Sequence, residues 1–301
     1  MLSKNQFEVL VYIEKNNNQK ISQREIASSI KLALGTVNKV IAELIQLNLI
    51  DIKNEKIIIT NKGYKVLEPY KVKRAIFLAA GFGSRLVPIT LNTPKPLIMV
   101  HGKRIIETLL DAVVKAGIEE IILVRGYLKD EFDILLKKYP NIKFIDNDSY
   151  NEANNISSAY LIKNYIANSY VFESDLYLYN ASLIRKYEYT SNYLGRYVDK
   201  TDDWCFEMKN NVISKIKQGG KDCYHTYGIS YFNNEAAEKF KNDVTELYLN
   251  IPGGKEKYWD QVHLDVFRKN YRFEVRECTI DDIIEIDTFN ELKQIDKIYD
   301  V

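Results

Sequence analysis

The stretch AIFLAAGFGSRLVPITLNTPKPL, residues 75–97, decides the fold. Its apolar run, Ala75 to Leu78, has the length of a buried strand and breaks at once into a loop containing Gly81 and Gly83. Ser84 and Arg85 follow, and Lys95 lies ten residues past Arg85, between Pro94 and Pro96. A buried strand that delivers a glycine loop can turn backbone N–H groups toward a polyphosphate, because glycine reaches φ > 0 and lets the chain come close to an anion. Arg85, a planar fork, and Lys95, a point charge, bring two cations to that anion. The spacing is not that of a Walker A loop, which needs Gly-Lys-Ser/Thr, nor of the dinucleotide fingerprint, which needs a third glycine.

Outward from this loop, strand and helix signals alternate. Ile105, Ile106, Leu109, Leu110, Val113 and Val114 repeat with helical period as far as Gly117. Ile121 to Val124 reads as strand, Leu128 to Tyr139 as helix, Ile142 to Ile145 as strand, Ile156 to Tyr165 as helix and Tyr170 to Phe172 as strand. The alternation predicts an α/β fold with a mostly parallel, Rossmann-like sheet flanked by helices. Ligands of such sheets lie beyond the carboxyl ends of the strands. Gly81–Arg85, Gly126-Tyr127 and Asp175 all fall there.

The first seventy residues differ in kind. Phe7, Val9, Leu10 and Ile13 are spaced for one helix, and Ser22 with Glu25 forms a capping box for a second. Leu34-Gly35-Thr36 opens a third, with Val37, Val40, Ile41, Leu44 and Ile45 on one face. LIDIKNEKIIITNKGYKVL then alternates like a two-stranded wing turning at Asn54-Glu55. Three helices and a wing make a winged helix-turn-helix, similar to the MarR-like regulators. The expected domains are therefore 1–72 and 73–301. Residues 1–73 hold 12 Lys and Arg against 7 Asp and Glu, a net +5, whereas residues 74–301 hold 30 against 34, a net −4. A basic small domain beside a mildly acidic one leaves two readings of residues 1–72: DNA as partner, through the third helix, or a docking and dimerisation role. The third helix presents Thr36, Asn38 and Lys39 but no arginine for reading guanine.

Three scattered cysteines, Cys205, Cys223 and Cys278, lack metal-ligand spacing and fit a reducing compartment. No apolar run approaches the ~20 residues of a membrane span, and no signal-peptide core is present at the start. A cytoplasmic protein with no membrane partner is expected, with homo-oligomerisation left open.

The glycine-loop string, together with IILVRGYLKDEFD (121–133), NDSYNEANNISSAYL (147–161), SYVFESDLYLYN (169–180), YWDQ (258–261) and EIDT (285–288), resembles the nucleotidyltransferases that join an NTP to a phosphorylated small molecule and release pyrophosphate. Bacterial CTP:phosphocholine cytidylyltransferases are the nearest likeness. The resemblance implies a nucleotidyltransferase-type sheet, CTP as donor and Mg2+ as cofactor. It also implies that Leu78, Ala79, Ala80, Gly81, Gly83, Ser84, Arg85, Gly126, Tyr127, Asn155 and Ser158 bind the nucleotide, with Arg85, Lys95 and Asp175 catalytic. Asp175 directly follows the strand Ser169–Glu173, where a carboxylate beside a triphosphate makes sense as a ligand of a divalent cation. The resemblance makes Asp287 the second ligand; the plainer reading is an N-cap of the last helix.

The acceptor must present a phosphate or phosphonate oxygen, so no enzyme nucleophile is needed. A choline head calls for aromatic faces and carboxylates. Trp204 and Trp259 sit in charged contexts, and the resemblance assigns acceptor binding to Tyr258, Trp259 and Asp260, with Asn154, Tyr177, Trp204 and Tyr227 completing the pocket. His101, His225 and His263 share no spacing and read as structural. The expected partners are CTP and a phosphorylated small amino alcohol, phosphocholine first. Phosphoethanolamine and 2-aminoethylphosphonate stay open, as do sugar 1-phosphates, although no Glu-Lys-Pro segment of the sugar enzymes follows Asp175. A transcription regulator whose transferase-like domain senses a nucleotide or metabolite is the rival from another class.

Overall fold

The computed structural model describes residues 1–300. The chain divides into two units, Met1–Lys71 with Tyr187–Tyr189, and Val72–Lys186 with Thr190 onward. A single boundary drawn from sequence does not anticipate the return of Tyr187–Tyr189. Tyr187 joins the core of the first unit, and the Tyr189 ring lies 5.3 Å from Phe7.

In the first unit α1 (Lys4–Lys15), α2 (Gln23–Ser29) and α3 (Leu34–Gln46) precede β1 (Ile50–Lys53) and β2 (Lys56–Ile59). The capping box forms: Ser22 Oγ accepts from the Glu25 N–H, and the Ser22 N–H donates to Glu25 Oε2. The antiparallel wing turns at Asn54 and Glu55, both at positive φ. It is shorter than the sequence alternation suggests. Thr60 Oγ1 accepts from the Gly63 N–H and starts α4 (Asn61–Leu67), so the last part of the expected wing is helical. Ile45, assigned to the buried stripe of α3, stands exposed.

The second unit runs through β3 (Arg74–Ala79), the short pair β4 (Met99–Val100) and β5 (Lys103–Arg104), α5 (Ile105–Lys115), β6 (Glu120–Arg125), β7 (Ile142–Asp146) and α6 (Ile156–Ile162). Then come β8 (Ser169–Glu173), β9 (Leu176–Leu178), β10 (Asn192–Lys209), β11 (Val212–Phe232), α7 (Asn234–Leu249), β12 (Glu274–Glu277), β13 (Ile283–Glu285) and α8 (Phe289–Ile295). One seven-stranded sheet has the order β12-β10-β11-β8-β3-β6-β7. Its β3–β6, β3–β8, β6–β7 and β10–β12 ladders are parallel; the two antiparallel ladders both involve β11. The chain proceeds outward from β3 to β6 and β7, then returns to place β8 on the other side of β3. That reversal makes the β3/β8 boundary a switch point, where the loops after the two strands diverge and leave a crevice.

After Arg74, β3 is apolar because both its faces are covered. Ala75, Phe77 and Ala79 pack with Leu109, Leu110 and Val113 of α5, while Ile76 and Leu78 pack with Ile156 and Ala159 of α6. Three local readings need correction. Lys129–Lys137 is a 3-10 helix, not an α-helix, and it starts beyond Leu128, whose φ is 47°. The helix from Ile156 stops at Ile162, and Val114 is exposed. The long β10–β11 hairpin was not read at all; its turn, Asn210-Asn211, has both residues at positive φ, the requirement of a tight hairpin turn that Asn meets at low cost.

Candidate active site

A cavity of about 590 Å³ opens at the carboxyl ends of β3 and β8. The loop after β3 forms one wall. Gly83 sits at φ 67°, and a Cβ there would stand 3.0 Å from Lys95 Cβ and 3.2 Å from Thr90 Cγ2. Glycine at 83 is thus required twice, by conformation and by the close passage of Lys95. Gly81 is different: its φ is not positive, and an added Cβ would meet only open space. Its value lies in leaving the cavity wall bare.

Lys95 joins the site together. Its Nζ donates to Asp175 Oδ2 at 3.0 Å and to Asp287 Oδ1 at 2.8 Å, and Arg85 Nη2 donates to the same Asp287 oxygen at 2.8 Å. The two carboxylates meet because β9 pairs with β13, setting Leu176 opposite Glu285, and the Ile286 N–H donates to the Asp175 carbonyl at 3.1 Å. Thr288, not Asp287, caps α8, through the Glu291 N–H. Asp287 is left to face the cavity. Asp175 Oδ1 is buried without a partner, and one oxygen each from Asp175, Glu285 and Asp287 lies within 4.8 Å of the others. An orphaned carboxylate oxygen beside two more oxygen donors is a set that suits a hard divalent cation.

Of the residues singled out from sequence, Leu78, Ala79, Ala80, Gly81, Gly83, Ser84, Arg85, Lys95 and Asp175 line the cavity. So do Asn154, Asn155, Ser158, Trp204, Tyr258, Asp260 and Asp287. Five do not. The Tyr127 N–H donates to the Ala80 carbonyl and its ring lies 4.2 Å from Phe82, while a Cβ on Gly126 would fall 2.9 Å from that same carbonyl. Gly126 and Tyr127 therefore brace the glycine loop instead of walling the cavity. Tyr177 is buried, its hydroxyl donating to the Val100 carbonyl, and Tyr227 is buried in the core beside α5. Trp259 is fully buried among Tyr193, Phe232 and His263. Its Nε1 donates to Glu173 Oε1 at 3.0 Å, and its backbone N–H donates to Asn155 Oδ1 at 2.8 Å. The expected aromatic wall thus shrinks to Trp204 and Tyr258, edge to face at 6.1 Å, and Trp259 becomes the support of a carboxylate.

Sequence reasoning also missed Glu173, Asp203, His225 and Glu285. A signal existed for two of them. Glu173-Ser174-Asp175 and Glu285-Ile286-Asp287 both read Glu-x-Asp at strand ends, and residues i and i+2 of an extended chain share a face. Asp203 and His225 come together only through the irregular β10–β11 ladder, in which the register shifts around Thr201 to Glu207.

Six carboxylates and two cations line the cavity. Burial, then Asp175 and Asp260, push the Glu173 pKa from its ordinary 4.5 to about 8. Asp260 rises from 3.8 to about 6, first through burial, although Tyr193 donates to it. Glu285 goes well above the carboxylate range through burial, then Asp175 and Asp287. Burial acts to lower the Lys95 pKa, and Asp175 and Asp287 overcome it, so the net shift is upward. Glu173 fits because residue 228 is glycine: a Cβ there would lie 2.2 Å from its Oε2.

Residues 74–190 match the nucleotidyl transferase family, and residues 2–51 match a winged helix-turn-helix DNA-binding family. The chain is 34% identical over 229 residues to the 2-aminoethylphosphonate cytidylyltransferase of Lancefieldella rimae, spanning 75% of this chain and 92% of that protein. It is equally 34% identical over 229 residues to the choline-phosphate cytidylyltransferase of Streptococcus pneumoniae, covering 97% of that relative. The chain belongs to the bacterial cytidylyltransferases. The solved structure of the CTP:phosphocholine cytidylyltransferase from Streptococcus pneumoniae superposes with a TM-score of 0.70 at 33% identity, over 76% of this chain and 99% of that one. This cytidylyltransferase therefore carries the whole catalytic fold of its relatives behind an additional winged unit. No helix among the described residues is long and apolar enough to cross a membrane.

The electrostatics predict a pH effect. Asp260 ionises near pH 4 when unfolded and near 6 when folded, so across that window the unfolded chain binds fewer protons and stability falls as pH rises. Asp260→Asn removes this term. Melting temperatures from pH 4 to 7 should show the parent losing ground to the variant up to about pH 6, with a constant gap above; a gap independent of pH would refute the assignment.

Proposed function

We propose that the cavity binds CTP along Ala79–Arg85 and transfers its CMP group to the phosphate of a small amino alcohol, or to the corresponding phosphonate. The observation that carries this reading is Lys95, buried between Asp175 and Asp287 at the foot of the glycine loop. An oxygen of the acceptor attacks the α-phosphorus of CTP; the new P–O bond forms as the bond from that phosphorus to the β-phosphate oxygen breaks. Pyrophosphate leaves with the electron pair, and no covalent enzyme intermediate is required.

The chain's own groups divide the work. Backbone N–H groups of the glycine loop face the phosphates, while Lys95 and Arg85 offset negative charge that grows on the transferring group. Asp175 and Asp287, with Glu285 beside them, would hold a divalent cation, Mg2+ by the oxygen-only donor set, which when bound supplies further charge neutralisation at the triphosphate. Trp204 and Tyr258 offer ring faces and Asp260 a negative charge to a cationic acceptor head. The acceptors named for the two relatives above both join a nitrogen to a phosphorus group through two carbons, which suits this charge arrangement.

A second activity is favoured by the winged unit. Asn38 and Lys39 on α3 and Lys53 and Lys56 on the wing are exposed, on a segment of net positive charge. We read this as a duplex-DNA contact, with phosphates met by the lysines.

Both readings are testable. Pyrophosphate release with four NTPs and a panel of amino-alcohol phosphates, aminoalkyl phosphonates and sugar 1-phosphates should show CTP turnover with an amino acceptor. Asp175→Asn should lower that turnover by at least ~10²-fold; rates like the parent's would take Asp175 out of the metal site. For DNA, replacing Lys39, Lys53 and Lys56 by glutamate should weaken binding to a fluorescent duplex more than ~10-fold and flatten its salt dependence. Absence of binding by the parent at low salt would leave docking as the role of residues 1–72.

A further inference from the structure

Asp203, His225 and Glu285 come together at the hairpin side of the cavity, with the two carboxylates on its wall. One ligand atom each from Asp203, His225 and Glu285 lies within 4.8 Å of the others. Asp203 and Glu285 line the cavity, and the group is distinct from the Asp175–Asp287 pair while sharing Glu285 with it. Glu285 accepts no hydrogen bond from the described residues; its carboxylate is deeply enclosed and opens to the cavity. The other two are held in place. The Trp204 N–H donates to Asp203 Oδ1 at 2.7 Å, the Asp203 N–H donates to Thr201 Oγ1 at 3.1 Å, and that same hydroxyl lies 3.5 Å from His225 Nδ1. A ring proton on Nδ1, donated to Thr201 Oγ1, would leave Nε2 as the acceptor nitrogen of the imidazole.

We propose that Asp203, His225 and Glu285 form a tripod for the primary ammonium of the acceptor, making this enzyme selective for 2-aminoethyl phosphates or phosphonates over their trimethylammonium counterparts. The proposal rests on the cytidylyl-transfer reading given above and specifies its acceptor. A primary ammonium carries three N–H donors in tetrahedral directions. Charge-assisted bonds of about 2.8 Å from one nitrogen place their acceptors about 4.6 Å apart, within the separation found here. A trimethylammonium has no N–H. Its methyl carbons hold oxygens at contacts of about 3.3–3.6 Å, and the deeply set Glu285 carboxylate would stay without a donor. Trp259, Tyr177 and Tyr227 are withdrawn into the core, and the rings left on the cavity wall are those of Tyr150, Tyr193, Trp204 and Tyr258.

The test is a methylation series: phosphoethanolamine, its N-methyl and N,N-dimethyl derivatives, and phosphocholine, each with CTP and Mg2+ and the full chain. The proposal expects kcat/KM to fall along the series, by at least ~10-fold from primary to quaternary, as charged hydrogen bonds are lost. His225→Leu and Asp203→Asn should each shrink that ratio several-fold, mainly through the KM of the primary amine. A flat series, or a preference for phosphocholine, overturns the tripod while leaving cytidylyl transfer intact. If CTP is not turned over with any of the four, or with 2-aminoethylphosphonate, the proposed function falls and the tripod with it. Mn2+ titration followed by electron paramagnetic resonance separates the remaining possibility: equal Mn2+ binding by parent and His225→Leu agrees with an ammonium site. A second bound Mn2+ that this variant loses makes the trio a metal site and overturns the proposal.

Discussion

The ammonium of Lys95, enclosed between Asp175 and Asp287, is the constraint on which the site depends. A buried cation is tolerable only with anionic partners in good geometry, and removing one partner leaves an uncompensated charge. Those partners come from chain segments far apart in sequence: Lys95 from the loop after β3, Asp175 from the end of β8, Asp287 from the segment after β13. The requirement therefore ties the switch point of the sheet to the C-terminal segment. The β9–β13 ladder, the Ile286-to-Asp175 backbone bond and the glycine at 83 that lets Lys95 pass all serve this one contact.

How much of this was legible in the sequence follows from the range of the interactions involved. β3, β6, β7 and β8 could be read because buried parallel strands are continuous apolar runs, and Asp175 could be placed because it directly ends such a run. The N-cap at Ser22 was legible for the same reason: its partner is three residues away. The β10–β11 hairpin was not, since its strands alternate imperfectly through polar residues such as Asp199 to Asp203 and contain register shifts that no local pattern announces. Trp259 shows the opposite failure. A tryptophan between Tyr258 and Asp260 suggests a binding wall, but neighbouring residues point in different directions: Tyr258 and Asp260 reach the cavity while the indole turns inward to hold Glu173.

The withdrawal of Trp259 changes how the cavity treats charge. An indole facing the ligand would offer a π surface; facing inward, it donates a hydrogen bond to a carboxylate that faces the ligand instead. Asn155 extends the same arrangement, accepting from the Trp259 backbone and donating to Glu173 at 3.4 Å. Six carboxylates share the cavity with Lys95 and Arg85, and burial raises the Glu173, Asp260 and Glu285 pKa values, with nearby carboxylates adding to the rise. A cation bound among these carboxylates would favour their ionised forms.

On the function proposed here, nucleotide chemistry and acceptor choice fall to different parts of the fold. The glycine loop, the end of β8 and the segment after β13 hold the groups assigned to phosphorus, tied together by the Lys95 contacts. Asp203, Trp204 and His225 belong to a hairpin attached to the sheet through β8 and β12, where side chains can change without touching the Lys95 contacts. Glu285 alone belongs to both, one residue pair from Asp287 along the same extended chain. On the proposed roles, a substitution there would alter metal binding and acceptor binding together, whereas changes at 203 or 225 would bear on the acceptor alone. Two relatives of about one-third identity, sharing nearly their whole length with this chain, carry names with different acceptors, as such a division of labour would permit.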